Sequence, residues 1–172
     1  VAGLMTSISP TEKKFEDHIE SHLNSVGYGS THYNDYDRSL CLICDQAIEF
    51  IQNTQQDKWQ KLKEIHGSDT EGKVLQRISQ VLSKQGVISV LREGVVDRGV
   101  YLDLCYFQPK SDNNPDHQQK YEKNKFTVVR QLHYSPNNEK SIDMALFLNG
   151  IPIITMELKN KLTNQNYIHS QK

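Results

Sequence analysis

Residues 142–148 and 151–158 are two strongly apolar runs joined by Asn149-Gly150, and this join constrains the fold more than any other stretch of the chain. Asn-Gly suits the positive φ that both central positions of a two-residue turn require, so the segment is expected to be a β-hairpin. Both strands are too apolar for an ordinary edge hairpin, so the acids they carry are expected at the border of a buried sheet. Three charged residues interrupt them: Asp143 in the first strand, and Glu157 and Lys159 at the end of the second. Side chains two apart on a strand share a face, so Glu157 and Lys159 project together while Leu158 turns away. The register decides where Asp143 stands. A two-residue turn pairs residues whose numbers sum to 299, which sets Asp143 across from Met156 and on the face opposite Glu157. A longer connection or a bulge raises the sum to 300 and sets Asp143 opposite Glu157. We expect the irregular connection.

Two carboxylates can hold a hard divalent cation through oxygen, and a neighbouring ammonium can orient an attacking water and steady charge on a phosphate. Against this stands the plainer reading that acids on amphipathic strands are solvated, and that Asp…Glu-x-Lys is a short pattern often matched by chance. The apolar setting favours chemistry, because charge at the edge of a buried sheet is costly unless it is paired or metal-bound.

The run Phe126-Thr127-Val128-Val129-Arg130-Gln131-Leu132, then Asp143 with Leu146-Phe147-Leu148-Asn149-Gly150-Ile151-Pro152, then Glu157-Leu158-Lys159-Asn160, resembles the start of the R (restriction, motor) subunit of type I restriction enzymes. The similarity spans most of residues 10–172 and is sharpest from about 121 onward. It implies a PD-(D/E)xK endonuclease domain with Asp143, Glu157 and Lys159 as the active-site triplet. Asp143, Glu157 and the carbonyl of Leu158 would hold Mg2+, and Lys159 would position the water. The same resemblance implies a Gln-x-x-x-Tyr motif, for which Gln171 supplies the glutamine; the tyrosine would fall beyond Lys172. Nucleases of this fold often bring an acid from the first helix near the metal, and Glu16 matches that position. Ile142 replaces the usual proline before the aspartate, a residue that shapes the strand and does no chemistry.

The family continues into an ATP-dependent DNA translocase, so the chain is expected to be the beginning of a longer one. No Gly-x-x-x-x-Gly-Lys-Ser/Thr loop occurs in it, and ATP is expected only for the translocase part. The partners implied are double-stranded DNA and the methyltransferase and specificity subunits of a restriction-modification complex. The function implied is Mg2+-dependent cleavage of DNA. Two alternatives stand beside it: a catalytically silent module docking a translocase to the other subunits, and a nuclease acting on RNA or branched DNA.

A length of 172 residues suits one domain, 1–172, with a helical insertion at about 38–86 and a catalytic α/β core at about 9–27 and 87–172. The formal net charge of −1 does not advertise nucleic acid, but it is unevenly spread. Residues 1–107 hold 11 Lys+Arg against 15 Asp+Glu, and residues 108–172 hold 9 against 6, so the part bearing the acids and lysine is the basic one. No run approaches the roughly 18–20 apolar residues of a membrane span. The first residues do not read as a secretion signal, and three cysteines, an odd number, argue for reduced thiols, so a cytoplasmic protein is expected.

Ser9-Pro10-Thr11-Glu12 reads as a capping box, followed by Phe15, Ile19, Leu23 and Val26 at helical spacing up to Gly27. Glu16 and Glu20 flank that stripe. Residues 28–37 read as a loop, 38–53, 56–66 and 71–85 as helices, and 87–91 and 100–107 as strands. Residues 108–119 read as a mobile loop and 126–132 as a further strand. The fold class expected is α/β, restriction-endonuclease-like, with a mixed, largely antiparallel central sheet of four or five strands flanked by helices, the first helix packed on it, and a helical insertion.

Other signals are weaker. Cys41-x-x-Cys44 has zinc or redox spacing, but no second pair follows, and it falls within an apolar helical pattern, so core packing is expected. His18 and His22 stand one helical turn apart without a third ligand, and Asp103 reads as a strand-end acid facing water.

Overall fold

The computed structural model describes residues 10–110 and 114–158. Its central sheet contains β1 (Gly29–Thr31), β4 (Phe126–His133), β5 (Ser141–Leu148) and β6 (Ile151–Met156), in the order β1-β4-β5-β6. β1 runs parallel to β4, and the other pairings are antiparallel. The fold is thus α/β with a mixed, largely antiparallel sheet, as expected. A second sheet pairs β2 (Val95–Asp97) with β3 (Val100–Leu102).

Helix α1 (Pro10–Ser25) packs on the central sheet, where Ile19 and Leu23 meet Val128, Met144 and Leu146. Its buried stripe is not the expected one. Phe15 and Val26 are exposed, while Glu16 is 2 % exposed, so the helix is rotated to bury a carboxylate that the strands stand ready to pair. Helices α2 (Cys44–Thr54), α3 (Gln56–His66), α4 (Thr70–Gln85) and α5 (Val87–Glu93) build a larger core with Leu42, Leu62, Val74, Ile78 and Leu102. This core reaches the hairpin tip through Ile151.

The tip is anchored from three sides. Asn149 and Gly150 have φ of +50° and +78°, as a tight two-residue turn demands. The Asn149 side-chain amide donates to the Leu104 carbonyl and the Asn124 amide oxygen, and its own oxygen accepts from the Lys125 N–H at 2.7 Å. Gly150 lies so close to the segment before α2 that an added Cβ would stand 2.3 Å from the Ile43 carbonyl oxygen.

Several local expectations are corrected. Residues 87–91, rich in β-branched side chains, form α5 and not a strand. Gly86, at φ +80°, ends α4, and burial of Val90 in the helical core outweighs propensity. The expected strand at 100–107 stops at Leu102, because side chains take over its backbone. The Gln55 amide bonds both the N–H and the C=O of Asp103, and the Asn124 amide does the same for Tyr106. Gly29–Thr31, read as loop, pairs with β4 by backbone alone. Residues 115–119, also read as loop, belong to helix α6 (Pro115–Glu122), with Pro115 in its first turn and the Asn114 side chain accepting from the His117 N–H. The second helix begins at Cys44 and not near 38. Asp37 turns the preceding chain by accepting from Ser39 and Leu40, which leaves Cys41 exposed at φ +59° and Cys44 at the first helical position.

Candidate active site

The hairpin carries the expected shift of register, but the irregularity lies in a strand and not in the turn. Leu148 pairs with Ile151 and Phe147 with Pro152, a sum of 299; a bulge then intervenes, and Leu146 pairs with Ile154 and Met144 with Met156, a sum of 300. One extra residue on β6 thus moves everything beyond it by one position. Continued past Met144↔Met156, this register sets Asp143 beside Glu157. The ladder ends there because a side chain replaces a strand carbonyl: Asp143 Oδ2 accepts from the Leu158 N–H at 2.6 Å. Among the described residues, Oδ1 of Asp143 accepts no hydrogen bond. Asp143 is half-buried and Glu157 exposed. Lys159 and Gln171 lie outside the described residues.

The other neighbour of Asp143 is irregular too. β4 pairs with β5 from Phe126↔Leu148 to Arg130↔Met144 and resumes at Leu132↔Ile142, leaving Gln131 and Asp143 between the rungs. Gln131 adopts φ +49°, a left-handed conformation that non-glycine residues rarely take. The strand's alternation breaks there, so that Val129 and Leu132, three apart, enter the same cluster. The inversion frees Gln131 to bridge two elements. Its amide nitrogen donates to Glu16 Oε1 at 2.7 Å, and its oxygen accepts from the Ser141 hydroxyl at 3.2 Å.

Arg130 completes the tie to α1. Its guanidinium binds Glu16 Oε2 through Nε at 3.0 Å and Nη2 at 2.9 Å, and Nη1 reaches Asp17 and Glu20. Burial alone would lower the Arg130 pKa; the hydrogen bonds to Asp17, Glu16 and Glu20 outweigh it and raise the value. Glu16, expected beside a metal, therefore has both carboxylate oxygens engaged, one by Arg130 and one by Gln131. Its position one turn before Glu20 let the sequence place it on a helix flank. The signal for its burial was the Arg130-Gln131 pair inside an otherwise apolar strand, where a charge needs a partner.

Among the described residues, no group of three or more His, Cys, Asp or Glu side chains is arranged to hold a metal ion, and this applies to Glu16, to the exposed His18 and His22, and to the cysteines. The two hairpin carboxylates and the backbone carbonyl of Leu158 would offer a cation oxygen donors alone. That set fits Mg2+, which keeps several waters and takes only one or two carboxylates from a protein. It does not suit zinc, which favours nitrogen and sulfur. Asp103 sits elsewhere, paired with Lys58 at 3.2 Å and hydrogen-bonded to the Tyr106 hydroxyl. Burial pushes the Cys44 and Cys105 thiols up to about 11, which leaves them protonated at neutral pH.

The family model described as the type I restriction enzyme R protein N terminus matches residues 9–172. No curated protein and no solved structure matches the chain. No helix among the described residues is long and apolar enough to cross a membrane. With a match over essentially its whole length, the chain belongs to the family of type I restriction enzyme R protein N termini.

Proposed function

We propose that this N-terminal region is a Mg2+-dependent endonuclease of the PD-(D/E)xK kind that cleaves double-stranded DNA in the cytoplasm. It would do so as part of a complex with methyltransferase and specificity subunits. The observation that carries the reading is the bulge between Leu146 and Phe147, because without that shift Asp143 and Glu157 would be separated by the pleat. The family match supports the restriction context.

In this reading Asp143 and Glu157 hold the cation with the carbonyl of Leu158. The bond from the Leu158 N–H fixes one oxygen of Asp143 and orients the other. When bound, the cation polarises a phosphoryl oxygen and makes water a stronger acid. Lys159, two residues beyond Glu157, positions the attacking water and offsets charge on the phosphate, and Gln171 orients the site or touches DNA. Glu16, Arg130 and Gln131 do none of this chemistry; they lock α1 to the strands that flank Asp143.

The test is cleavage by the assembled restriction complex whose R subunit carries this region, with supercoiled plasmid, linear duplex and RNA as substrates. The expected result is Mg2+-dependent cutting of duplex DNA that Asp143→Ala and Glu157→Ala abolish without impairing assembly. Assembly with full cleavage by either variant would leave a docking module instead, and preference for RNA would reassign the substrate.

A further inference from the structure

We propose that a cavity between α4 and the β2–β3 hairpin is a binding site for an oxyanion of the phosphate class. The cavity measures about 410 Å³. Lys73, Gln76, Arg77 and Gln80 from α4 and Arg98 from the hairpin turn line it. Three cations thus converge in the acidic part of the chain, where residues 1–107 carry four more acids than bases.

Their charge is not spent internally. Among the described residues no carboxylate pairs with Lys73, Arg77 or Arg98. Arg77 donates through Nε to the Val96 carbonyl at 2.9 Å, which anchors its guanidinium against the hairpin and leaves both Nη groups for a ligand. Lys73 Nζ donates to the His66 carbonyl at 3.4 Å. The one carboxylate in the lining, Asp97, is bound to His66 Nε2 at 2.7 Å, with both side chains almost wholly buried. That contact occupies Oδ2 of Asp97 and holds its carboxylate against the His66 ring.

The turn itself points the same way. Arg98-Gly99 joins β2 to β3 with φ of +49° and +83°, a connection whose first position suits Asn, Asp or Gly. Arginine gains nothing from that backbone, so its side chain is what the position supplies. Three cations and two side-chain amides offer more donors than the two oxygens of a carboxylate can accept, and they suit the three or four oxygens of a phosphate. The phosphate could belong to a nucleic-acid backbone or be free in solution. The site stands apart from the hairpin acids and does not depend on the nuclease reading.

The test is an amide NMR titration of the whole chain with sodium phosphate at constant ionic strength, with acetate as the comparison. The expected result is saturable shifts confined to residues 73–80 and 96–99, absent with acetate. Arg98→Asn removes the charge while giving the turn a residue it favours, so its melting temperature should not fall, yet phosphate affinity should drop about tenfold, as should that of Arg77→Gln. Lys61→Gln, a charge-matched change on the exposed surface of α3, should bind as wild type does. Acetate shifts equal to those of phosphate, non-saturating shifts, or wild-type affinity in Arg98→Asn would overturn the proposal. A short DNA duplex that perturbs the same amides and is displaced by phosphate identifies a nucleic-acid backbone as the source; saturable phosphate binding without any duplex effect identifies free phosphate.

Discussion

Arg130 joins the first helix to the sheet by holding the buried carboxylate of Glu16. Removing one partner of such a pair strands the other in a place water cannot reach. Arg130→Met is therefore expected to lower unfolding stability by about 3 kcal/mol, read from urea denaturation. The double variant Arg130→Met with Glu16→Leu should recover much of that loss; a single variant as stable as wild type would contradict the account. Thiol reactivity separates the cysteines in the same way. Cys44 and Cys105, pushed up to about 11 chiefly by burial, should alkylate far more slowly at pH 8 than exposed Cys41, as peptide-resolved mass spectrometry would show. Asp143 and Glu157 were legible in the sequence because apolar flanks make an acid conspicuous. The bonds of Arg130 and Gln131 to Glu16 were not, since that partner lies more than a hundred residues away. Nor does any local pattern announce the left-handed backbone at Gln131.

At the scale of elements, the hairpin aligns the acids because of two features set close together, a buried two-residue turn and a bulge just beyond it. The turn tolerates no side chain at its second position. Gly150→Ala combines positive φ with a Cβ 2.3 Å from the Ile43 oxygen, and is expected to cost well over about 1 kcal/mol in thermal or urea unfolding. A near-neutral effect would mean that the tip is not packed against the segment before α2. That segment is held by Asp37, whose carboxyl is kept below its ordinary 3.8 first by the Ser39 hydroxyl and then by the Leu40 N–H. Because the folded value is the lower one, its stabilisation is full above the unfolded pKa and is lost as pH falls through the folded one. Asp37→Asn should accordingly flatten the acid limb of the stability profile below about pH 4. Helices with a sustained period, α1, α3 and α4, were legible from sequence, as were β4 and the hairpin. Segments whose state depends on distant partners were not. Val87–Leu91 is helical because Val90 is drawn into the helical core, and residues 103–106 are held by the amides of Gln55 and Asn124 in place of a neighbouring strand.

Across the whole molecule, a mixed sheet carries the acids at one end of a hairpin while the other end is sunk into a helical core. Residues 108–172 carry more base than acid and cations line the α4 cavity, despite a total charge of −1. The family and the fold class were both within reach of the sequence, because residues 126–132 and the hairpin with its charged residues together carry a pattern that neither holds alone. Whether Asp143 and Glu157 meet at a single divalent cation is read from calorimetric titration of Mn2+ into the wild-type chain and into Asp143→Ala and Glu157→Ala. One saturable class of sites is expected in the wild type, lost in both variants while their melting temperatures stay close to the wild-type value. Indistinguishable heats from all three proteins would contradict it.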